Sequence, residues 1–325
     1  MIVDSFDRKH TYLRISLIDK CNMRCTYCMP HENMKFLPQK NLMSANEIFE
    51  LAKTFVGVGV TKIRLTGGEP LLRQDFNSIL DRLSSLNTKL SVTTNGFFVD
   101  RYIDSLMKSD VSVNLSIDTL DEKLFNSITG RNYFEKVKQN INLLLKNEVP
   151  LKLNMVLIKG LNEHEILPFV ELTLKYNVDC RFIEFMPFKD NQWDYSKTVS
   201  EKEILEKISK SYNYEKLKDA IDSTSHNYKI VNSKGSFGII STITKPFCSG
   251  CNRIRITADG KLKNCLFDQK EKDILSVLRN GGDLTLFIKE AFINKAFSRG
   301  GLVDFKENSA QKEYQKNRPM ISIGG

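Results

Sequence analysis

The stretch YLRISLIDKCNMRCTYC, residues 12–28, carries two signals back to back. Its first seven residues alternate: Leu13, Ile15 and Leu17 on one side, Arg14 and Ser16 on the other. That is the two-residue period of a β-strand with one apolar face. Its last eight residues hold Cys21, Cys25 and Cys28, three of the chain's seven cysteines. Three thiols this close make a poor disulfide framework, because one is always left over. They are also one short of the closed four-ligand set of structural zinc.

Working outward, the alternation recurs in KIRLT (62–66), KLSVTT (89–94), VSVNLSI (111–117), LKLNMVLI (151–158) and CRFIEFM (180–186). Amphipathic stretches near 44–57, 74–86, 98–108, 134–147 and 163–176 lie between them, the first opened by the capping-box pair Ser44 and Glu47. Repeated βα units predict a parallel sheet, doubly wound or curled into a barrel. Strands covered on both faces read as apolar throughout. Here a polar set runs opposite the apolar one: Arg64 and Thr66, Ser91 and Thr93, Asn114 and Ser116, Lys152 and Asn154, Glu184. One face therefore packs helices, and the other is polar and bears three cations, Arg14, Arg64 and Lys152. Burying those without an anionic partner is costly, so the polar face is expected to line a substrate cavity. The predicted fold is α/β: a partial (β/α)6 barrel of the TIM type over residues 1–188. An α+β extension over 189–325 follows, with helices near 200–211, 271–279 and 284–297 and hairpin strands between them.

Composition sets outer bounds. The 325 residues are 41% hydrophobic and 27% charged, ordinary for a globular enzyme. No apolar run approaches the roughly 18–20 residues that span a bilayer. The N-terminal MIVDSFDRKH lacks the apolar segment of a secretory signal. Sparse, clustered thiols suit a reducing compartment, and the expected location is the cytoplasm. The net charge of +9 is spread without any block of five like charges. A diffuse excess of this kind favours an anionic small molecule steered into a cleft over a nucleic-acid stripe or a membrane.

The cysteine triplet follows the first strand, at the end where β/α barrels build active sites. Soft thiolates select zinc or iron–sulfur clusters. Zinc needs a fourth donor, for which His31 is nearest. A [4Fe–4S] cluster held by three cysteines leaves one iron open to a small chelating molecule. Cys248, Cys251 and Cys265 repeat the theme as C-x2-C-x13-C. A zinc ribbon is the competing reading there, but all four histidines precede residue 227. Cys180 reads as a small buried hydrophobe. In CNRIRIT the alternation puts Cys251, Arg253 and Arg255 on one face and Ile254 and Ile256 on the other. Two guanidiniums suited to phosphate thus stand beside the second triplet.

C-x3-C-x2-C after the first strand, followed one βα unit later by TGGEP (66–70), resembles the radical S-adenosylmethionine (radical SAM) enzymes. With TTNG (93–96), NLSID (114–118), RFIEFM (181–186), CNRIR (251–255) and the final Gly324-Gly325, the chain is similar to the GTP 3′,8-cyclase family of molybdenum cofactor biosynthesis. The resemblance implies two [4Fe–4S] clusters, one on Cys21, Cys25 and Cys28 and one on Cys248, Cys251 and Cys265. It implies S-adenosyl-L-methionine held by Tyr27, Gly68, Ser116 and Met186. GTP would be held by Arg14, Arg64, Thr93, Lys152, Arg253, Ile254 and Arg255, with Thr94 the alternative to Thr93. Catalytic roles fall on Arg253, Arg255, Gly324 and Gly325, although a double-glycine end ordinarily frays. The reaction implied removes the C3′ hydrogen of GTP and joins C3′ to C8, giving (8S)-3′,8-cyclo-7,8-dihydroguanosine 5′-triphosphate. Implied partners are a reductase or flavodoxin-type electron donor and the next enzyme, cyclic pyranopterin monophosphate synthase, with the protein a monomer or homodimer. Rival readings are a radical SAM peptide or RNA modifier with an auxiliary cluster, and a metal-bearing nucleic-acid-binding protein.

Overall fold

The structure, a computed structural model, describes residues 1–29, 31, 33–302 and 313–324. Six strands, β1 (Tyr12–Ser16), β2 (Lys62–Thr66), β3 (Lys89–Thr94), β4 (Ser112–Ser116), β5 (Leu151–Leu157) and β6 (Asp179–Glu184), lie side by side in chain order. Each neighbouring pair is parallel. They are connected through α1 (Ala45–Gly57), α2 (Phe76–Ser84), α3 (Val99–Lys108), α4 (Glu122–Thr129) with α5 (Phe134–Lys146), and α6 (Ile166–Lys175). The strand order never reverses among these six, which rules out the doubly wound alternative. Right-handed crossovers that always step the same way leave their helices on one face of the sheet.

Ser44 does close a capping box with Glu47 at the start of α1. Helix α4 is absent from the sequence reading. It is only eight residues long, and local chemistry fixes its ends: the Asp121 side chain accepts from Leu124 N at 2.7 Å, and Gly130 leaves it at φ 62°.

The remaining chain supplies α7 (Glu201–Ser209), β7 (Tyr214–Lys216), β8 (His226–Ile230), β9 (Ser236–Ile240), β10 (Arg253–Ile256), β11 (Lys261–Lys263), β12 (Lys272–Asp273), α8 (Ile274–Arg279) and α9 (Leu284–Ile293). It does not form a separate sheet. Strand β9 pairs parallel with β6, and β10 pairs parallel with β1. Antiparallel β8–β7 and β11–β12 continue the two edges, so all twelve strands belong to one sheet.

The apolar strand set packs under the helices. Leu13, Ile15, Ile63, Leu65, Val92, Val113, Leu115, Leu153 and Met155 are all at most 1% exposed, in one core with Leu51, Phe55, Ile79 and Phe169. Much of the polar face is buried too: Ser16, Arg64, Thr66, Ser91 and Asn114 are at most 7% exposed. A half-exposed sheet with ordinary alternation does not bury arginine and asparagine this way. A second, smaller apolar cluster gathers Phe185, Phe188, Trp193, Ile243, Phe267, Tyr314 and Ile323, with Tyr27, Met186 and Cys265 packed against it. It links the first cysteine loop, the second cysteine site and the C-terminal helix (Met320–Ile323). Among the described residues no helix is long and apolar enough to cross a membrane.

Candidate active site

Register places the cations. Arg14 on β1 is the Cα partner of Arg64 on β2 and of Arg255 on β10, so three arginines stand abreast on the polar face. One step back, Tyr12 is flanked by Lys62 and Arg253. The Arg14, Lys62 and Arg64 charges lie 5.2, 4.9 and 5.5 Å from the Tyr12 ring centre. Burial alone would raise the Tyr12 phenol; Arg64, Arg14 and Lys62 outweigh it and bring it down to about 8. Burial likewise lowers Arg14, and brings Arg64 down to about 10, with neighbouring cations adding to both.

Lys152 departs from the sequence reading, because its Nζ sits 2.7 Å from Asp179 on the next strand. Asp179 also accepts from Arg181 Nε at 3.0 Å. Among the described residues, Arg14 and Arg64 have no carboxylate at ion-pair distance; Arg64 Nε reaches only Ser91 Oγ, at 3.3 Å. Buried atoms on this face, among them Arg14 Nε, Ser16 Oγ, Thr93 Oγ1, Asn114 Oδ1 and Asn154 Oδ1, have no hydrogen-bond partner among the described residues. Buried polar groups are ordinarily paired. A row of unpaired ones beside unneutralised guanidiniums fits a polar, anionic ligand. Thr93 and Thr94 are also distinguished: the Thr94 hydroxyl donates to Glu69 Oε1 at 2.8 Å, while that of Thr93 is free on the polar face.

Cys21, Cys25 and Cys28 sit in the loop after β1. TGGEP packs directly on that loop: Gly68 N donates to Ile18 O at 2.6 Å and Glu69 N to Lys20 O at 2.8 Å. A Cβ on Gly68 would collide with the Lys20 carbonyl, so glycine here is needed for the loop's own packing as well as for any ligand. Glu69, pushed up to about 7 by burial, accepts from Asn95 N at 2.7 Å and so ties the loops after β2 and β3 together. Asn95 Nδ2 and Met23 N point at Cys21 Sγ, at 3.5 and 3.4 Å. Burial lifts Cys21 to about 11 and Cys28 to about 12, and raises Cys25 strongly; mutual repulsion of the thiols adds to Cys25 and Cys28. His31 does not join them; its Nε2 pairs with Asp190 at 3.2 Å. Tyr27 donates to Asp118 Oδ2 at 2.6 Å, just past Ser116 at the end of β4.

At the second triplet, burial would raise Cys251, but Arg253 and Lys295 overcome it and bring the thiol to about 6. Cys265 is raised by burial, with Cys251 and Cys248 contributing as like charges. Arg253 lies 4.6 Å over the Phe247 ring, and Arg255 Nη1 donates to Gly324 O at 2.7 Å. The Ile254 side chain is 0% exposed in the main core, so only its backbone is available to a ligand. Gly324 has φ 90°, and a Cβ there would meet Thr66 Oγ1 at 2.7 Å and Ser16 Cβ at 2.8 Å. Gly324 therefore lies against β1 and β2. Gly325 lies outside the described residues. Among the described residues no group of three or more His, Cys, Asp and Glu side chains is arranged to hold a metal ion. The three sulfurs of a cubane cluster bind three different irons and stand farther apart than the ligands of one ion. Each triplet has neighbouring thiols close enough to perturb one another and no histidine paired with it among the described residues, a donor set of soft sulfur that fits a three-thiolate cluster.

Comparison with known proteins bears on the same regions. The Radical SAM superfamily model matches residues 15–173, and the Molybdenum Cofactor Synthesis C model matches residues 178–299. A mitochondrial GTP 3′,8-cyclase of Arabidopsis thaliana is 40% identical, over 100% of this chain and 84% of its own length. The GTP 3′,8-cyclase of Peptoclostridium acidaminophilum is 37% identical over 100% of this chain and 98% of its own. This chain belongs to the GTP 3′,8-cyclase family. It also matches Molybdenum cofactor biosynthesis protein 1 of Homo sapiens, at 42% identity over 99% of this chain, but spans only 51% of that protein. About half the length is likewise spanned in the Dictyostelium discoideum relative, at 52%. Among solved structures, Streptococcus suis SuiB bound to S-adenosylmethionine superposes with TM-score 0.60 at 18% identity, covering 86% of this chain and 68% of that one, a likeness of fold alone.

Several groups at this family member's site lie outside the residues assigned from sequence. Lys62 and Tyr12 share the polar parity of Arg64 and Arg14, and counting alternate residues back along β1 and β2 finds them. Asp179 and Arg181 in β6 pair with Lys152 and Asn154 on the polar face, whereas Glu184, expected there, has the opposite parity and is the Cα partner of Leu157 on the core side. Lys295 gives no local signal, since it is one lysine at the end of a helix.

Proposed function

We propose that this chain is a GTP 3′,8-cyclase of molybdenum cofactor biosynthesis, with its substrate chamber on the polar face of the sheet. One observation carries the reading: the row of unpartnered buried polar atoms and three abreast arginines runs between two cysteine triplets. The six βα units form a partial barrel around that chamber. In a flat sheet, β2 and β6 are four spacings apart, about 19 Å; yet the Arg181 charge depresses Arg64, and those of Lys152 and Arg181 depress Lys62, as a curled sheet would allow.

Cys21, Cys25 and Cys28 hold one [4Fe–4S] cluster, and Cys248, Cys251 and Cys265 hold a second. When bound with S-adenosyl-L-methionine at the first site, the cluster supplies one-electron chemistry and with it a 5′-deoxyadenosyl radical. Tyr27, Gly68, Ser116 and Met186 line the place for S-adenosyl-L-methionine. Tyr27 is held by Asp118, and Met186 shares an apolar cluster with Tyr27.

Arg14, Arg64 and Arg255 face the triphosphate as fixed donors, and Lys152 adds a charge already shared with Asp179. Thr93, Asn114 and Asn154 supply hydrogen-bonding atoms free in the ligand-free protein. Arg253 sits beside the second site, and Gly324 closes the chamber over Ser16 and Thr66. Their combined task is to orient C3′ and C8 of GTP toward each other and to exclude water from a radical intermediate. A flavodoxin-type donor or reductase supplies electrons, and the product passes to cyclic pyranopterin monophosphate synthase. The fold boundary between the two working parts is residue 188.

The test is anaerobic incubation of the reconstituted protein with GTP, S-adenosyl-L-methionine and a chemical reductant. The 3′,8-cyclised nucleotide is the expected product. GTP recovered intact while S-adenosyl-L-methionine is cleaved would overturn the assignment.

A further inference from the structure

Lys295, just beyond α9, is a lysine at 4% exposure with no carboxylate at ion-pair distance among the described residues. Its Nζ makes three contacts: Arg253 O at 3.2 Å, Cys251 Sγ at 3.5 Å and His10 Nδ1 at 3.5 Å. His10 is itself fully buried, and its Nε2 lies 3.0 Å from Asp4 Oδ2. Asp4 also accepts from Arg8 Nε at 2.7 Å and from the backbone of Phe6 and Arg8 at 2.9 and 3.1 Å. A carboxylate saturated by donors on Oδ2 calls for the proton of His10 on Nε2, which leaves Nδ1 as acceptor for the ammonium. Burial and the nearby Lys295 charge hold His10 down to about 4, the neutral state this arrangement needs.

The same N-terminal residues are strapped over the second cysteine site. Val3 bridges Lys9. Arg8 Nη1 donates to Cys248 O at 2.8 Å and Phe297 O at 2.6 Å, and Nη2 to Ala296 O at 3.1 Å. The Asp4–His10 pair is thus anchored at both ends of the site. A buried ammonium costs several kcal/mol unless an anion compensates it, and the sulfurs of the second triplet are the compensating groups in reach.

We propose that Lys295 is a positioning residue of the second cysteine site: its ammonium, aligned by Asp4 and His10, donates to Cys251 Sγ and sets the reduction potential of the cluster held there. The inference rests on the two-cluster reading above. A positive charge and an N–H···S bond favour the reduced, more negative cluster over the oxidised one, and hydrogen bonds to ligand sulfur are an established determinant of cluster potential.

The experiment is an EPR-monitored redox titration of the full-length, anaerobically reconstituted protein, with iron content measured in parallel. Wild type shows two reductive waves. In Lys295→Met one wave shifts at least tenfold toward the oxidised form at fixed reductant, about 59 mV lower for a one-electron couple, and the other stays in place. Lys295→Arg keeps that wave near its wild-type position, and His10→Gln moves the same wave less than Lys295→Met, in the same direction. Both waves unmoved in Lys295→Met with iron retained would overturn the inference alone. If that variant loses the second cluster, Lys295→Gln is titrated in its place, and an unmoved wave there has the same consequence. A wild-type protein holding four irons would overturn the two-cluster reading, and this inference with it.

Discussion

Replacing Arg14 with methionine should make the ligand-free protein more stable and the GTP complex weaker. Arg14 stands between Arg64 and Arg255 on adjacent strands, with its Nε buried and unpartnered. Strands are about 4.8 Å apart. Two like charges about 5 Å apart at an effective dielectric of about 20 repel by about 3 kcal/mol. Arg14 faces two such neighbours and has no carboxylate of its own among the described residues. Side-chain splay and water will recover most of that repulsion, so a net gain of about 1–2 kcal/mol is expected, in line with replacing buried charge by apolar volume. For a chain this long that is a rise of about 1.5–3 °C in melting temperature. GTP loses a charge-assisted hydrogen bond worth about 1.5–3 kcal/mol, or about 10–150-fold in affinity. Differential scanning fluorimetry of the anaerobic holoprotein and equilibrium binding of GTP read the two effects. A lower melting temperature in Arg14→Met, or unchanged GTP affinity, would refute the claim that this face is strained in order to receive an anion.

Gly324→Ala places a Cβ against Thr66 and Ser16 at a φ of 90°. That costs about 1–3 kcal/mol, so turnover should fall about 10–100-fold with iron content and GTP binding retained; unchanged turnover would remove the tail from the mechanism. Thr93→Val should raise KM for GTP without altering stability, whereas Thr94→Val should destabilise the protein by about 1 kcal/mol through its bond to Glu69; the reverse pattern would exchange their roles. Cys21→Ser should abolish formation of 5′-deoxyadenosine while the second cluster's iron remains. The hydrogen bond from Lys159, then those at Ser200, bring the Glu203 carboxyl down to about 2. A depressed carboxyl stabilises the fold above its unfolded pKa near 4.5 and loses that contribution as pH falls toward 2. Wild type should therefore exceed Glu203→Gln in stability by no more than about 1 kcal/mol near pH 6, after solvent screening, and the gap should close by about pH 2. A gap independent of pH would contradict it.

Period-two patterning revealed more of this protein than its motifs alone. Arg14 and Arg64 could be placed on one face because their neighbours Leu13, Ile15, Ile63 and Leu65 had to lie on the other. Once both strands are parallel and adjacent, the arginines come abreast without further information. The order of the outer strands was not legible in this way: β9 and β10 insert at opposite edges of the sheet, and nothing within a strand specifies its neighbour. Lys152 looked unpaired because Asp179, 27 residues later, becomes its partner only through β5–β6 register. The Ile254 side chain was expected within a substrate-binding segment, but alternation between two inward arginines sends it into the core. Lys295 and His10 are 285 residues apart and meet only in three dimensions. Chemistry that depends on such distant pairs leaves no trace in local pattern or spacing.

The most direct measurement of the central claim uses GTP deuterated only at C3′, incubated anaerobically with S-adenosyl-L-methionine and reductant, with mass analysis of the nucleoside released. If the polar face presents C3′ to the first cysteine site, 5′-deoxyadenosine gains one deuterium and the cyclised nucleotide loses it. Unlabelled 5′-deoxyadenosine alongside labelled, uncyclised GTP would contradict the placement of substrate between the two triplets.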